Sequence, residues 1–262
     1  MTWVNRRPTD DANIYAMQDG LRWNVNSGVS PARERRLIEG VISNLQLFRQ
    51  LSRKDLDTLA NHSRLREARR GAAIVRRGEQ TPGLVALAYG SAKLALRRAN
   101  GEEKVVRLLG PGESFGLAAV LLDRPCPVEL VALSNCLVAT IPPVPVLRLM
   151  GQDAGFARIV AGALAERVLE LLGELEASLQ QSGKQRLACY LGSLAEPNAQ
   201  PGTWIARLPA TKTTVAARLG VKKETLSRML RELANQGLIA VAGPEVSIID
   251  RAGLAQLAGA SG

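Results

Sequence analysis

The sequence is poor in the side chains on which most enzymes and metalloproteins depend. Its 262 residues include one histidine, His62, and three cysteines, Cys126, Cys136 and Cys189, with only three each of Trp, Tyr and Phe. A lone histidine leaves the usual general base and the commonest metal ligand almost missing. The cysteines are widely spaced and form no Cys-x-x-Cys pair, which argues against a structural metal site. No glycine-rich phosphate loop ends in Lys-Ser or Lys-Thr, and no histidine-based triad can be assembled. The expectation is no catalysis and no metal centre. No run of eighteen apolar residues offers a membrane-spanning helix, so no membrane partner is expected. The opening residues Met1-Thr2-Trp3-Val4-Asn5-Arg6-Arg7-Pro8 lack the charged-then-apolar order of an export signal, and a cytoplasmic location is expected.

Positive charge is abundant instead. Lys and Arg number 34 against 24 Asp and Glu, a formal net charge of +10. Such an excess favours a polyanionic partner, because basic side chains that displace condensed counterions from phosphates gain affinity without reading sequence. A diffuse surplus proves little, so its distribution has to decide.

Residues 1 to about 30 mix Asn, Asp, Gly, Pro and Ser without a period and read as a loosely ordered extension that Trp3, Tyr15 and Trp23 would dock. From Pro31, apolar residues at Leu37, Ile38, Val41, Ile42, Leu45 and Phe48 recur at three and four, as on an amphipathic helix. A short helix follows over Arg53 to Asn61. Between about 64 and 142 the texture changes to short β-rich runs such as Ala73-Ile74-Val75 and Val105-Val106-Arg107-Leu108-Leu109, punctuated by glycines, which predicts an antiparallel sandwich or barrel. Asn100-Gly101, between two such runs, is a hairpin signal because both residues tolerate positive φ.

From Asp153 to about Gln181 the pattern predicts one long helix. Val160, Leu164, Val168, Leu171, Leu172, Leu175 and Leu179 form a narrow seam, with most of the charged residues off it. A seam of that length asks for a second copy of the chain, with Leu164, Val168, Leu171, Leu175 and Leu179 at the interface. Four segments result: 1–46, an extension with an amphipathic helix; 47–152, a β-rich domain; 153–182, the long helix; and 183–262.

The last segment carries the sharpest pattern. Within Leu208 to Leu230, Thr211 is a fair N-cap and Gly220 a fair C-terminal stop, so one short helix ends at Gly220-Val221 and another begins near Lys222. That is the order of a helix-turn-helix. Val215, Leu219, Val221, Leu226, Met229, Leu230 and Leu233 pack the two helices, leaving Lys222, Lys223, Glu224, Ser227, Arg228 and Arg231 on the far face. From Arg207 to Arg231 there are seven Lys or Arg against one Glu, so the charge gathers on the element that would enter a major groove. Leu238-Ile239-Ala240-Val241 and Val246-Ser247-Ile248-Ile249, joined by Ala242-Gly243-Pro244-Glu245, read as a wing hairpin.

In this order of parts the chain resembles the Crp/Fnr superfamily of bacterial transcription factors, from Leu47 to Leu257. The most specific segment is Gly220-Val221-Lys222-Lys223-Glu224-Thr225-Leu226-Ser227-Arg228, in which Glu224, Ser227 and Arg228 reproduce the Glu-x-x-Ser-Arg pattern of the Fnr branch. The resemblance implies an α+β fold: an N-terminal antiparallel β-roll of cupin-like sensor type, a long dimerisation α-helix and a C-terminal winged helix-turn-helix. It implies a homodimer on double-stranded DNA, at half-sites like TTGAT, acting with RNA polymerase. Glu224, Ser227 and Arg228 would read bases, an arginine giving two hydrogen bonds to guanine and a carboxylate accepting from cytosine. Lys212, Arg218, Lys222 and Lys223 would hold phosphates. Thr214 departs from the acidic residue the family often has there.

The resemblance also marks what the β-roll lacks. In cyclic-nucleotide sensors of the family a glutamate takes the ribose and an Arg-Ser or Arg-Thr pair takes the cyclic phosphate. Here Gly112-Glu113-Ser114-Phe115-Gly116 resembles the start of that cassette, but Leu117 stands for the glutamate and Pro127-Val128 for the pair. cAMP is therefore not the expected effector, and Leu171 and Leu172 make the expected pocket, with Gly116, Leu117 and Cys126, apolar. The iron-sulfur cluster of oxygen-sensing members needs an N-terminal cysteine group, and no cysteine precedes Cys126. The tail from Gly243 to Arg251 is similar to Dnr-like regulators, some of which use haem; His62 or Cys126 would be the ligand. A ligand-free regulator stays open beside that reading.

Overall fold

The computed structural model describes residues 31–97, 102–198 and 203–259, without the side chains of residues 31 and 178–180. The expected N-terminal extension with its docking aromatics, the Asn100-Gly101 turn and the side chain of Leu179 lie outside the described residues. These fall into two compact units, one within Gly20–Arg98 and Val106–Glu170, the other within Ala99–Val105 and Leu171–Gly262. No described helix is long and apolar enough to cross a membrane.

The first unit opens with helix α1 (Pro31–Asn44) and α2 (Arg53–His62), the latter started by Ser52, whose hydroxyl accepts from the Asp55 amide. Eight strands follow: β1 (Arg64–Ala68), β2 (Ala73–Val75), β3 (Leu84–Tyr89), β4 (Ala92–Arg97), β5 (Glu103–Leu109), β6 (Ser114–Phe115), β7 (Glu129–Ala132) and β8 (Cys136–Ile141). They form two four-stranded sheets, ordered β1-β8-β3-β6 and β2-β7-β4-β5. Strand β1, for example, runs antiparallel to β8, with Arg64 opposite Thr140 through Ala68 opposite Cys136.

Val85, Leu87 and Val138 of one sheet share a buried core with Ile74, Leu94, Leu109 and Leu130 of the other. This is the sandwich that short strands with turn glycines demand, since each sheet has one face to remove from water. Helix α3 (Leu117–Leu122) sits between β6 and β7, and α4 (Pro143–Gln152) follows β8. Sequence periodicity had not singled out either helix.

Helix α5 (Ala154–Gln180) is the long helix, 27 residues of unbroken turn. Its beginning belongs to the first unit: Phe156 and Val160 are buried, and Phe156 stacks on Phe48 with ring centroids 5.8 Å apart. Val160, placed on the intermolecular seam by spacing, is therefore a core residue of its own chain.

In the second unit, α6 (Gly183–Ser193) begins with a capping box, Ser182 taking the Gln185 amide and the Gln185 side chain taking the Ser182 amide. Helices α7 (Lys212–Leu219) and α8 (Lys223–Asn235) form the helix-turn-helix, and α9 spans Arg251–Leu257. Strands β9 (Ala195–Pro197), β10 (Trp204–Arg207), β11 (Ile239–Ala242) and β12 (Glu245–Ile248) make a sheet ordered β11-β12-β10-β9. The wing is thus the β11-β12 hairpin extended by two strands. Leu187, Leu191, Val215, Leu226, Leu230, Leu233, Val246 and Leu254 join helices and sheet in one core.

Two predictions concern stability. Gly83 has φ +153°, and a Cβ there would lie 2.0 Å from the Ile141 carbonyl oxygen. Gly83→Ala should destabilise the sandwich by roughly 3 kcal/mol, read by chemical denaturation. The Tyr190 hydroxyl is buried without a hydrogen-bond partner among the described residues, and burial pushes its pKa up to about 12. The unfolded chain releases that proton near pH 10, so Tyr190 lowers stability progressively as pH rises from 10 to 12. Tyr190→Phe should melt no lower than wild type at pH 7 and hold its stability better above pH 10.

Candidate nucleic-acid interface

Two local signals build the helix pair. The Thr211 hydroxyl accepts from the Thr214 amide and starts α7, and Gly220, at φ 72° and ψ 33°, ends it in the left-handed conformation. Glycine adopts that conformation without a Cβ clash, which lets the chain reverse in one step. Thr214 is buried, and its hydroxyl is 3.1 Å from that of Thr211. The position that departs from the family's acidic residue is thus turned inward, into the cap.

Helix α8 separates its two faces cleanly. Leu226, Met229, Leu230 and Leu233 are buried. Glu224, Ser227, Arg228 and Arg231 have the same three-and-four spacing two positions earlier, which rotates them to the opposite face. Glu224, Arg228 and Arg231 are exposed and Ser227 is half-buried. Arg228 keeps 70% of its side-chain surface, with its Nε 3.8 Å from Glu232 Oε1.

Lys222 occupies the N-cap position without a side-chain cap, and both Lys222 and Lys223 are exposed. First-turn amides that lack a capping side chain, beside two ammonium groups, favour phosphate oxygens. Lys212 opens α7 and is half-buried.

Arg218 is placed differently. Its guanidinium grips Glu174 near the end of the long helix through two hydrogen bonds, 2.7 Å and 3.2 Å long. Arg186 reaches the carbonyls of Gln181, at 2.5 Å, and Leu219, at 3.2 Å. Two arginines therefore tie the end of α5 to the end of α7. Glu174 stands 44 residues before its partner, a separation at which no sequence pattern announces the pair.

The apolar seam of α5 changes character along its length. Leu164 is half-buried. Val168, Leu171, Leu172 and Leu175 stay 43 to 56% exposed, and Leu169 is 69% exposed.

The expected effector residues divide between the two units. Gly116 precedes α3 with φ 103° and Leu117 opens that helix, whereas Leu171 and Leu172 belong to the second unit. Cys126 has no exposed surface. Its amide donates to Glu79 and its carbonyl accepts from Gly78, and burial pushes its thiol pKa up. His62 is on the surface at the end of α2, its Nδ1 held by the Thr58 carbonyl at 2.8 Å. An enclosed protonated thiol and a surface imidazole do not fit a haem iron in this arrangement. Glu113 of the cassette-like segment is engaged within the fold, paired with Arg107 at 2.5 Å and with the Gly110 amide at 2.7 Å. Among the described residues no three His, Cys, Asp or Glu cluster as a metal site would require.

Comparison with known proteins agrees with this layout. Residues 65–153 match the cyclic nucleotide-binding domain family and residues 185–257 the Crp-like helix-turn-helix domain family. The chain is 26% identical over 212 residues to the cyclic AMP receptor protein of Thermus thermophilus, an alignment covering 81% of this chain and 96% of that one. It is also 26% identical over 224 residues to the fumarate and nitrate reduction regulatory protein of Escherichia coli, covering 83% and 88%. Among solved structures, FixK2 from Bradyrhizobium japonicum superposes with a TM-score of 0.67 at 19% identity, over 76% of this chain and 99% of that chain, which shows a shared fold. With both domains present in this order, the chain belongs to the Crp/Fnr superfamily of transcription regulators.

Proposed function

We propose that this regulator binds DNA as a homodimer on a pseudo-palindromic site with TTGAT-like half-sites, under an effector other than cAMP or with no ligand. The observation that carries the reading is the exposed face of α8, where Glu224, Ser227, Arg228 and Arg231 stand together against a wholly apolar opposite face. Arg228 donates to a guanine edge, Glu224 accepts from a cytosine amine and Ser227 adapts to either. Lys212, Lys222 and Lys223 hold phosphates, and Arg218 joins them by exchanging Glu174 for a phosphate. RNA polymerase is the partner that a transcriptional role requires.

The homodimer rests on the exposed stretch from Val168 to Leu175. Such a cluster of large apolar side chains on one helix is costly to leave in water, and a second copy packed along it buries the same residues from both sides. The two recognition helices then enter successive major grooves about 34 Å apart. Leu117 in place of the ribose-binding glutamate, and Pro127-Val128 in place of the phosphate-binding pair, support an effector other than cAMP. A haem regulator is the alternative, and the enclosure of Cys126 speaks against that ligand.

Fluorescence anisotropy of the full chain on a TTGAT-NNNN-ATCAA duplex of fixed spacer and on a scrambled duplex tests the reading. Wild type should prefer the matched site; Arg228→Ala should lose about 1–3 kcal/mol there and much less on the scrambled one. Lys222→Ala should weaken both alike. Equal losses on the two duplexes for Arg228→Ala would remove its base-reading role. For the interface, Leu172→Glu should shift the protein to monomer in sedimentation equilibrium and abolish tight binding. A variant that remains dimeric would show that this face is not the interface.

A further inference from the structure

The proposed base-reading arginine has a neighbour that the DNA-facing pattern does not include. Glu232 lies one turn beyond Arg228 on α8, outside the Glu-x-x-Ser-Arg segment. Its two carboxylate oxygens face different elements. Oε2 meets the ammonium of Lys184, from the first turn of α6, at 2.5 Å, and Oε1 lies 3.8 Å from Arg228 Nε. Lys184 is 43% exposed and Glu232 35%, so the carboxylate is partly exposed and is held by a residue 48 positions earlier in the chain.

The atoms involved set the consequence. A guanine edge offers two acceptors, O6 and N7, which the two terminal nitrogens of an arginine can meet together. The Arg228 nitrogen that faces the Glu232 carboxylate is Nε, so Nη1 and Nη2 are left for the base. Glu224 stands four residues before Arg228, with the orientation that favours a helical ion pair. Among the described residues, however, no ion pair joins them, and the carboxylate beside Arg228 is the one that Lys184 holds.

A long side chain exposed to this degree samples many rotamers, and each must be lost on docking. A fixed anion on the Nε side narrows that set before DNA arrives. The same negative charge discourages phosphate from taking the arginine, which would give affinity without discrimination.

We propose that Glu232, anchored by Lys184, is a positioning residue for specificity: it orients Arg228 through Nε so that the terminal nitrogens meet a base edge rather than a phosphate. This inference rests on the base-reading role of Arg228. Lys184 marks the contact as more than a surface pair within one helix, because it connects the recognition helix to α6. As an exposed pair, Arg228 with Glu232 adds little to folding stability, so its effect should appear in selectivity rather than in melting.

The test is the ratio of scrambled-site to matched-site Kd, measured by anisotropy on the two duplexes above for wild type, Glu232→Gln, Arg228→Ala and the double variant. Glu232→Gln should lower the ratio by about threefold to tenfold, partly through tighter binding to scrambled DNA, in a protein that remains folded at the assay temperature by circular dichroism. In the Arg228→Ala background the same substitution should leave the ratio where Arg228→Ala puts it. If Glu232→Gln keeps the wild-type ratio, or lowers it by the same factor without Arg228, Glu232 does not act through the arginine and the inference falls, while the base-reading role stands. If Arg228→Ala itself loses equally on both duplexes, both fall together.

Discussion

The burial of one face of α8 is the constraint from which the rest of the DNA-binding unit follows. Leu226, Met229, Leu230 and Leu233 must leave water, and they do so in one core with apolar residues of α6, α7, α9 and the adjoining sheet. Once they are packed, a helix of 3.6 residues per turn has no freedom in where it points the residues two positions away. Glu224, Arg228 and Arg231 face outward as a result. Fold and function are thus the same packing event seen from two sides: the hydrophobic effect supplies the energy and the helical repeat turns it into the direction of three charged side chains.

The parts of this arrangement that are local in sequence were legible from it. Thr211 and Gly220 mark the ends of α7 because capping and the left-handed stop act within a few residues. The β11-β12 turn is legible for the same reason, with Gly243 at φ 62° between the strands. Illegible features are those decided by distant partners. Val160 fits the periodicity of the long-helix seam, but periodicity states only that a residue is to be buried, and here the first unit's own core covers it, beside the stacked Phe48 and Phe156. Helix α3 is Leu-Ala-Ala-Val-Leu-Leu, six apolar residues with no contrast from which to read a period. The pairs Arg218 with Glu174 and Lys184 with Glu232 join residues 44 and 48 positions apart, which no spacing rule reaches.

Those ion pairs also qualify what a net charge of +10 means. Counting basic residues between Arg207 and Arg231 treats all seven as equal, but the structure gives them different work. Arg207 pairs with Glu245 at 3.0 Å across β10 and β12. Arg218 holds the end of the long helix, and Arg228 lies against a carboxylate that is itself held by a lysine. Among the described residues Lys222 and Lys223 at the start of α8 have no such engagement, and they are where an electrostatic attraction to phosphate is least opposed.

The two cysteines of the β-sandwich have a further consequence. Cys126 is fully enclosed and Cys136 is 3% exposed, with burial raising both thiol pKa values. An alkylating reagent needs a thiolate it can touch, and the closed sandwich provides neither the ionisation nor the access. Each thiol is therefore labelled only in the moments when its strand or loop lifts away from the core. The rate at which these two positions take up a label is a clock for the opening of the β-sandwich, built into the chain and readable without altering a single residue.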